Sequence, residues 1–270
     1  MKMTFLGGGN MATALVAGLL KQGFAAADIQ VVERLAEQRQ KLVDSYGIVC
    51  LPEVDARVLE GDVIVLAVKP QQMQVAVQPL AGHLQHQLVV SIAAGLTLET
   101  LSRWLGGYRR IVRAMPNTPA MIGAGMSGLC ALPEVALNER LAAERILQTA
   151  GTTLWVEEES RMDAVTAISG SGPAYLFLFI EALQKAATEL GFSPDEARHL
   201  AVATTLGAAQ QAAASEEPAS VLRQRVTSRG GTTEAALNVM QAQGVVQGII
   251  AGVKAAEARG RELARQLGAG

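Results

Sequence analysis

The sequence has few of the residues that mark several classes of protein. Only two cysteines, Cys50 and Cys130, and three histidines occur among the 270 residues. Two cysteines are too few for a disulfide scaffold or a four-cysteine metal site, so we expect no resident metal and a reducing, cytoplasmic location. Aromatic residues make up only 4% of the chain, which argues against a surface of stacked rings for single-stranded nucleic acid.

A charge excess and a long apolar run are also missing. The 25 acidic and 23 basic residues leave a net charge of -2, whereas nucleic-acid-binding proteins usually have a basic surface. Three glycines and an asparagine interrupt the apolar start at 7–10, which does not fit a signal peptide. The most apolar later stretch, 173–183, is far shorter than the roughly 20 residues of a membrane helix. We therefore expect no nucleic-acid partner and no membrane partner.

The first half of the chain contains a regular alternation of strand and helix patterns. Short apolar segments predict strands at 3–6, 29–32, 63–68, 88–92 and 110–114. Amphipathic patterns predict helices between them, for example at 11–21 and 35–45. This alternation predicts an α/β fold with a doubly wound, mostly parallel sheet.

The second half has a different pattern. After about Val156 the strand signals stop, and only helix signals follow. The segment Ser193-Pro194-Asp195-Glu196 predicts a strong helix start, with serine as N-cap and glutamate at the third helical position. At roughly 150 residues per domain the length also suits two domains. We expect one domain over 1–157 and an all-helical domain over 158–270.

A glycine-rich turn lies between the first predicted strand and the first predicted helix. Residues 7–12, Gly-Gly-Gly-Asn-Met-Ala, have G-x-G-x-x-A spacing. The first glycine permits the tight turn, the second lets the backbone approach a pyrophosphate, and Ala12 permits close packing of helix on strand. The pattern predicts a dinucleotide-binding domain of the Rossmann type. A glycine-rich turn without a ligand is the alternative.

Two charged residues with opposite implications follow the second predicted strand. An acid such as Glu33 at this position holds the ribose 2′-hydroxyl of NAD, whereas an arginine such as Arg34 holds the 2′-phosphate of NADP. Either side chain also fits a solvated charge at a helix start. The residue types alone therefore leave the choice between NAD and NADP open.

Three further strand ends carry candidate ligand contacts, because ligands of open α/β sheets bind at the carboxyl ends of strands. Segment 67–70 (Ala-Val-Lys-Pro) places Lys69 towards either the cofactor or solvent. Segment 91–95 (Ser-Ile-Ala-Ala-Gly) has small residues that leave room for nicotinamide. Segment 113–119 (Arg-Ala-Met-Pro-Asn-Thr-Pro) fits a structural turn about as well as a ligand contact.

The helical half has two segments that suit an anion. The glycines of 169–175 (Ser-Gly-Ser-Gly-Pro-Ala-Tyr) break one helix before Pro173 starts the next, and a close helix crossing explains them equally well. Segment 227–234 (Thr-Ser-Arg-Gly-Gly-Thr-Thr-Glu) opens a helix, whose unpaired amides suit a carboxylate. Ordinary capping by Thr232 or Thr233 is the alternative there.

With these motifs in this order, the chain resembles the pyrroline-5-carboxylate reductase family. The resemblance covers essentially the whole length and rests on FLGGGNMA, LAVKPQ, SIAAG, RAMPNTP, DAVTAISGSGPAY and TSRGGTT. It implies a Rossmann domain followed by an all-helical dimerisation domain, and dimers that often assemble into pentamers of dimers. It also implies hydride transfer from NAD(P)H to the cyclic imine 1-pyrroline-5-carboxylate, which gives L-proline. NADP is the expected cofactor, and NAD is also plausible.

The resemblance gives roles to individual residues. Together with Arg34, the cofactor-binding residues are Leu6, Gly7, Gly8, Gly9, Asn10, Met11, Ala67, Val68, Lys69, Pro70 and Ala94. The substrate-binding residues are Glu159, Ser228, Gly231, Thr232 and Thr233, of which Thr233 is the catalytic one. The chain differs from many relatives at Arg229, where they have proline, and from some at Arg225, where they have asparagine.

The implied reaction needs little acid–base chemistry. An imine nitrogen carries a proton near neutral pH, so the enzyme chiefly aligns the reactants, with the Thr233 hydroxyl on the ring nitrogen. A 3-hydroxyacid dehydrogenase of related architecture is the alternative enzyme. Such enzymes have a lysine on the helix after the glycine-rich turn, and here no lysine occurs between Gly172 and Lys185. A non-catalytic NAD(P)-sensing protein is the third possibility.

Overall fold

Strands and helices alternate through the first half of the chain in the computed structural model, which describes residues 1–268. The strands are β1 (Met3–Leu6), β2 (Ile29–Val32), β3 (Val49–Leu51), β4 (Val63–Leu66), β5 (Leu88–Ser91), β6 (Ile111–Met115), β7 (Gly125–Ala131) and β8 (Gly151–Trp155). The helices are α1 (Asn10–Lys21), α2 (Ala36–Tyr46), α3 (Pro70–Val77), α4 (Leu98–Trp104), α5 (Leu137–Gln148), α6 (Met162–Val165), α7 (Gly172–Glu189), α8 (Pro194–Ala214), α9 (Ala219–Arg225), α10 (Thr232–Ala242) and α11 (Val245–Gly268).

The strands form one sheet in the order β3-β2-β1-β4-β5-β6-β7-β8. Neighbouring strands run parallel, except that β6 and β7 are antiparallel. The chain runs outward from β1 to β3 and then returns to β4 on the other side of β1. This order confirms the predicted doubly wound sheet, and its point of reversal is where such sheets bind ligands.

Side chains that alternate along the strands build a core on each face of the sheet. In β4, Val63 and Val65 pack on the face covered by α1, α2 and α5. Ile64 and Leu66 pack on the opposite face, which α3 and α4 cover. A strand that is buried on both faces needs an apolar residue at every position, which explains the unbroken apolar run there.

Three strands have weak sequence signals and are absent from the predicted set. β3 has only three residues, and β7 and β8 contain glycine, which weakens a strand pattern. The sheet needs those glycines because neighbours leave no room for a side chain. A Cβ atom at Gly128 would lie 2.4 Å from Val165 Cγ1, and one at Gly151 would lie 2.0 Å from the Gly125 carbonyl oxygen.

The predicted helix starts at Thr97 and Ser193 are confirmed. The Thr97 side chain accepts a hydrogen bond from the Thr100 amide at 3.1 Å, and α4 begins at the next residue. At α8 the Ser193 amide donates to Glu196 Oε2 at 2.9 Å, while the Ser193 hydroxyl accepts from the Glu196 amide. This reciprocal pairing is the capping box that the sequence predicts.

The described residues form two compact units. One unit contains Met1–Ser171 together with the part of α11 that begins at Ala256, and the other contains Gly172–Ala255. In the first unit, Leu267 of α11 packs against the core beneath α3 and α4. These units are divided by packing and differ from the expected domains 1–157 and 158–270, whose boundary stays a prediction.

The glycines of segment 169–175 lie at the boundary between two helical segments, as the sequence predicts. A π-helical segment, Thr166–Gly170, follows α6, Ser171 is its C-cap residue, and α7 begins at Gly172. Within Glu159–Glu189, an 18-residue window has a mean hydropathy of 1.2 and is long and apolar enough to cross a membrane by length and composition alone. By this measure the apolar stretch extends beyond the expected 173–183.

Candidate dinucleotide and substrate sites

The glycine-rich turn joins the end of β1 to the start of α1. Gly7 has a φ of +102°, and a Cβ atom there would lie 2.8 Å from the Ala67 carbonyl oxygen. A Cβ atom at Gly8 would meet Leu42 Cδ1 at 2.7 Å. Gly7 therefore requires glycine, and a side chain at Gly8 would displace Leu42, as the G-x-G-x-x-A interpretation predicts.

The start of α1 faces open space. Gly9 is its N-cap residue and supplies no side-chain cap, and nothing in the described chain lies within 4 Å of a Cβ atom placed there. Gly9 and Asn10 are exposed, and Met11 is half-buried. An accessible helix N-terminus with open space before it is suited to bind the negative charge of a pyrophosphate.

A cleft of about 560 Å³ lies beside this turn, at the carboxyl ends of β1, β2 and β4. Four of the predicted cofactor residues line it: Leu6, Gly7, Arg34 and Val68. Its remaining walls come from the segment after β3 and from α3 and the turn that follows it. The size and lining of the cleft fit part of a dinucleotide, so the residues present suit that cofactor.

Hydrogen bonds separate the roles of the two charged residues after β2. Glu33 Oε2 accepts from the Gly8 amide at 3.0 Å, and Glu33 Oε1 accepts from the Leu35 amide at 2.9 Å. The carboxylate therefore ties the glycine turn to the start of α2. Arg34 is exposed and lines the cleft, while Arg39 donates to the Glu33 and Arg34 carbonyl oxygens, both at 2.8 Å.

Segment 67–70 closes the other side of the glycine turn. The Ala67 amide donates to the Leu6 carbonyl oxygen at 2.8 Å, and the Ala67 carbonyl is the group that Gly7 approaches. Lys69 is the N-cap residue of α3 and is exposed, and Pro70 occupies the first turn of that helix. The position of Lys69 is compatible with both the cofactor and the solvent interpretation.

The loop between β5 and α4 contains Ala94, which is exposed beside buried Ala93. Gly95 has a φ of +76°, and a Cβ atom there would lie 3.2 Å from Leu267 Cδ1 of α11. The loop therefore packs against α11 at Gly95, while Ala94 is exposed to solvent. This arrangement fits the expected small-residue surface for nicotinamide.

The Glu159 side chain accepts two hydrogen bonds from other residues of the first unit. Its Oε1 atom accepts from Arg113 Nη1 at 2.9 Å and from the Leu98 amide at 2.7 Å. Asp163 Oδ1 lies 3.7 Å from Arg113 Nη2. The resemblance places Glu159 in the substrate site, and the structure adds a connection between this residue, β6 and the start of α4.

Segment 113–119 also contains a structural connection. Asn117 Nδ2 donates to the Ser169 carbonyl oxygen at 3.1 Å, and Asn117 Oδ1 accepts from the Met126 amide at 2.9 Å. Asn117 therefore joins the π-helical segment to β7. Of the two interpretations that the sequence leaves open, this geometry supports the structural turn.

The other four predicted substrate residues lie in the second unit, at the start of α10. Gly230 has a φ of +73°, and Gly231 is the N-cap residue of α10, with no side-chain cap. Capping by Thr232 or Thr233 is therefore wrong, because both residues already belong to the helix. Ser228 and Thr232 are exposed and Thr233 is half-buried, so the first turn of α10 is open to a carboxylate.

The two thiols give no sign of nucleophilic chemistry. Burial is the main cause that raises the pKa of Cys50 and the pKa of Cys130. Both thiols therefore stay protonated at neutral pH, and a thiol is a far weaker nucleophile than a thiolate.

Two connections at the candidate sites are difficult to predict from the sequence. Arg113 interrupts the apolar strand Ile-Val-Arg-Ala-Met, and a buried arginine needs an acidic partner. That partner, Glu159, follows 46 residues later. The hydrogen bonds of Glu33 to the Gly8 and Leu35 amides have no local sequence signature.

Comparison with known protein families gives two matches. Residues 159–263 match a model described as pyrroline-5-carboxylate reductase dimerisation. Residues 2–95 match one described as NADP oxidoreductase, coenzyme F420-dependent. Together the two matches cover most of the sheet-containing first half and most of the helical second half.

Similar full-length proteins have one name. The chain is 45% identical to the pyrroline-5-carboxylate reductase of Pseudomonas aeruginosa, with 99% of this chain and 98% of the relative covered. It is 41% identical to the enzyme of Haemophilus influenzae, with 97% of each chain covered.

Similar solved structures agree. A pyrroline-5-carboxylate reductase from Coxiella burnetii has a TM-score of 0.92 at 40% identity, with 97% of this chain and 98% of that chain covered. The pyrroline carboxylate reductase of Plasmodium falciparum, solved with NADP bound, has a TM-score of 0.87 at 26% identity, with 98% of each covered.

Proposed function

The chain belongs to the pyrroline-5-carboxylate reductase family, and from that premise we propose which residues hold the cofactor and the substrate. It is an NAD(P)H-dependent oxidoreductase that reduces the cyclic imine 1-pyrroline-5-carboxylate to L-proline, the last step of proline biosynthesis. The observation that carries this assignment is the 45% identity to the Pseudomonas aeruginosa relative over 99% of the chain.

The cofactor site in our proposal is the cleft at the carboxyl ends of β1, β2 and β4. Gly8, Gly9, Asn10 and Met11 present backbone at the start of α1 to the pyrophosphate, with Leu6 and Gly7 beneath. Residues 67–70 and Ala94 continue the surface towards β5. When bound, NAD(P)H supplies the hydride that reduces the C=N bond.

We propose that NADPH is preferred modestly over NADH. The Glu33 carboxylate is held by the Gly8 and Leu35 amides, so it is engaged within the protein. Arg34 lines the cleft and can donate charge-assisted hydrogen bonds to a 2′-phosphate. This geometry supports the NADP interpretation of the two charged residues.

The proposed substrate site is the first turn of α10. The Gly231 amide donates to the Ser228 carbonyl oxygen at 3.0 Å, and in our proposal it exchanges this partner for the carboxylate of the imine. The Thr232 amide binds the same carboxylate, with Ser228 beside it, and the positive end of the helix favours the negative charge. Thr233 Oγ1 accepts a hydrogen bond from the protonated ring nitrogen and orients the C5 carbon. Glu159 is retained as a substrate residue on the family resemblance. Alignment of the reactants is the main contribution of these residues.

The protein is a homo-oligomer, and we propose a dimer that can assemble further into a pentamer of dimers. Within residues 172–255 only Ala197 and Ala201 are buried, while Leu176, Phe177, Leu178 and Phe179 are all exposed. The exposed apolar surface also fits a membrane by composition, but the match of residues 159–263 to a dimerisation family favours a second copy of the chain. Light scattering at micromolar concentration tests this, since a stable active monomer would contradict it.

We propose a cytoplasmic location and a domain boundary near residue 158. Full-length similarity to bacterial enzymes supports the first proposal, and the start of the dimerisation match at residue 159 supports the second. Subcellular fractionation and limited proteolysis test them.

The test of the function is a proline-forming assay with the purified chain. We expect oxidation of NADPH to depend on 1-pyrroline-5-carboxylate and to yield one L-proline for each NADPH consumed. A 3-hydroxyacid with NAD(P)⁺ is the control substrate and should give no reaction. Oxidation of the hydroxyacid without reduction of the imine would instead support the dehydrogenase alternative.

A further inference from the structure

Arg113 is a buried cation on an interior strand of the sheet. It lies on β6, its side chain is 4% exposed, and it pairs with Glu159 at 2.9 Å and faces Asp163 at 3.7 Å. An arginine this deeply buried presents almost no surface to a ligand. Any effect that it has on the reaction must therefore pass through the groups that it holds.

Glu159 carries the effect of Arg113 to the start of α4. The same Oε1 atom that accepts from Arg113 accepts from the Leu98 amide at 2.7 Å, and Leu98 is the first residue of α4. Leu98 and Arg113 belong to different elements, so one carboxylate oxygen joins them. Charge-assisted hydrogen bonds of this kind are among the stronger ones in proteins.

The loop that ends at Leu98 is thereby held at both ends. At its start, the Ile92 amide donates to the Leu66 carbonyl oxygen at 3.0 Å. At its end, the Leu98 amide donates to Glu159. Exposed Ala94 lies between these two attachments, so the shape of the loop at Ala94 depends on where Glu159 is held.

The position of this loop relates it to one half of a dinucleotide. A dinucleotide spans the reversal point of the strand order, which here lies between β1 and β4. Arg34 follows β2, on one side of that point, and fits the phosphate of the adenosine half. The nicotinamide half then belongs on the side of β4 and β5, where the Ala94 loop begins.

We propose that Arg113 is a positioning residue that, through Glu159, fixes the loop 92–97 in the shape that receives the nicotinamide half of the cofactor. This inference rests on the proposed cofactor site. It gives Glu159 a role in binding the dinucleotide in addition to the contact with substrate that the resemblance implies.

The chain offers a matched control pair on the same strand–helix unit. Arg110 Nε donates to Glu139 Oε1 at 2.8 Å, and Glu139 Oε2 accepts from the Ala136 amide before α5. This pair also joins an arginine, a carboxylate and a helix start. Arg110 lies before β6, at the opposite end of that strand from Met115. A change in the Arg110–Glu139 pair should therefore lower the stability of the fold without weakening the binding of the cofactor.

The experiment measures the dissociation constant of NADPH by calorimetry, without substrate, together with the melting temperature. The variants are Glu159→Gln, Arg113→Met, Arg113→Lys and the Glu159→Gln/Arg113→Met double variant. The controls are Glu139→Gln and Arg110→Met. Glu159→Gln retains an oxygen for the Leu98 amide and is the variant that keeps the test valid if Arg113→Met does not fold.

We expect Glu159→Gln and Arg113→Met each to raise the dissociation constant of NADPH about three- to tenfold, as for the weakening of one charge-assisted hydrogen bond. The double variant should bind no more weakly than the weaker single variant, because both changes weaken the same connection. Arg113→Lys should lie between the parent and Arg113→Met. Both controls should lower the melting temperature but keep the dissociation constant within about twofold of the parent value.

The inference is wrong if Glu159→Gln leaves the dissociation constant of NADPH within about twofold of the parent value, or if the controls weaken binding equally. An increase confined to the Michaelis constant for the imine would also overturn it, while leaving the proposed substrate role of Glu159 intact. Failure of the parent chain to form proline would instead count against the proposed function, and the binding measurement is independent of that result.

Discussion

The sheet-containing unit and the unit of residues 172–255 differ in how they bury apolar side chains. The first has a core on each face of its sheet, in which side chains such as Phe5, Leu15 and Ile64 are fully buried. In the second, only two alanines are buried. Full burial of one leucine or phenylalanine contributes roughly 1.5–3 kcal/mol, and residues 176–179 are each about half to two thirds exposed. These four residues alone therefore have roughly 3–7 kcal/mol to gain from a covered surface. That is comparable to the lower part of the stability range of a typical domain, so we expect the second unit to depend on another copy of the chain for its stability.

The largest expected effect comes from disrupting the expected contact between two copies of the chain. Leu176→Asp places a charge where a second copy should cover an apolar side chain that is now 56% exposed. An unpaired charge in an interface costs several kcal/mol, so we expect dissociation or unfolding and a loss of activity of roughly a hundredfold or more. Size-exclusion chromatography with light scattering and the proline assay measure the two effects.

The matched control is Leu141→Asp in α5 of the first unit. Leu141 is 55% exposed, nearly the same as Leu176, but it belongs to the unit that has its own core. We expect this variant to keep its mass, its melting temperature within a few degrees and most of its activity. If Leu176→Asp and Leu141→Asp changed mass, melting temperature and activity equally, the second unit would not depend on another copy more than the first unit does.

The next largest effect concerns catalysis. We expect the second unit to contact the substrate and not the cofactor, so a change at Thr233 should lower catalytic efficiency without weakening the binding of the cofactor. Thr233→Ala removes one hydrogen bond at the reacting centre, which is worth about 1–3 kcal/mol, or roughly 5- to 150-fold in catalytic efficiency. Gly231, and not Thr233, is the N-cap residue of α10, so the melting temperature should change little. Thr233→Ser keeps the hydroxyl and should retain much of the rate. A Thr233→Ala variant that reduces the imine as fast as the parent would show that the amides of Gly231 and Thr232 suffice.

Features that depend on neighbouring residues can be predicted from the sequence, whereas features that depend on tertiary contacts cannot. Helix starts at Thr97 and Ser193 depend on neighbouring residues, and the glycine turn depends on a short spacing, so local patterns predict all three. β7 and β8 depend instead on close approach at Gly128 and Gly151, which only the assembled sheet reveals.

The candidate site divides in the same way. The cofactor residues near the glycine turn follow from local motifs. The link from Arg113 to Glu159 joins residues 46 positions apart, and no pattern of one strand or helix specifies it. The orientation of Glu33 towards the Gly8 amide likewise depends on tertiary packing. The glycines predict the break between the π-helical segment and α7, but nothing in the local sequence predicts the π-helical geometry itself.

A smaller effect tests whether the glycine turn of the first unit serves the cofactor or only the fold. Gly9 has an ordinary φ of -70°, and a Cβ atom there would meet nothing in the described chain within 4 Å. Gly9→Ala should therefore leave the melting temperature almost unchanged but weaken NADPH about tenfold, because a methyl group would occupy the space of the pyrophosphate. Gly7→Ala is the contrasting variant, since it strains a φ of +102° and should lower stability as well. Unchanged binding in Gly9→Ala would mean that the turn is structural only.

The smallest expected effect concerns the choice between the two cofactors. Arg34→Ala removes a cation that lines the cleft, whereas the neighbouring Glu33 is held by two amides and should not change position. An exposed charge-assisted contact to a 2′-phosphate contributes on the order of 1 kcal/mol, so the Michaelis constant for NADPH should rise about fivefold. The Michaelis constant for NADH should stay within about twofold, because NADH has a hydroxyl at that position. Arg39→Ala is the useful second variant, since its guanidinium fixes the Arg34 carbonyl and it should produce a weaker form of the same discrimination. If Arg34→Ala weakens NADPH and NADH equally, the side chain acts on a part that both cofactors share, and the preference for NADPH must come from another residue of the cleft.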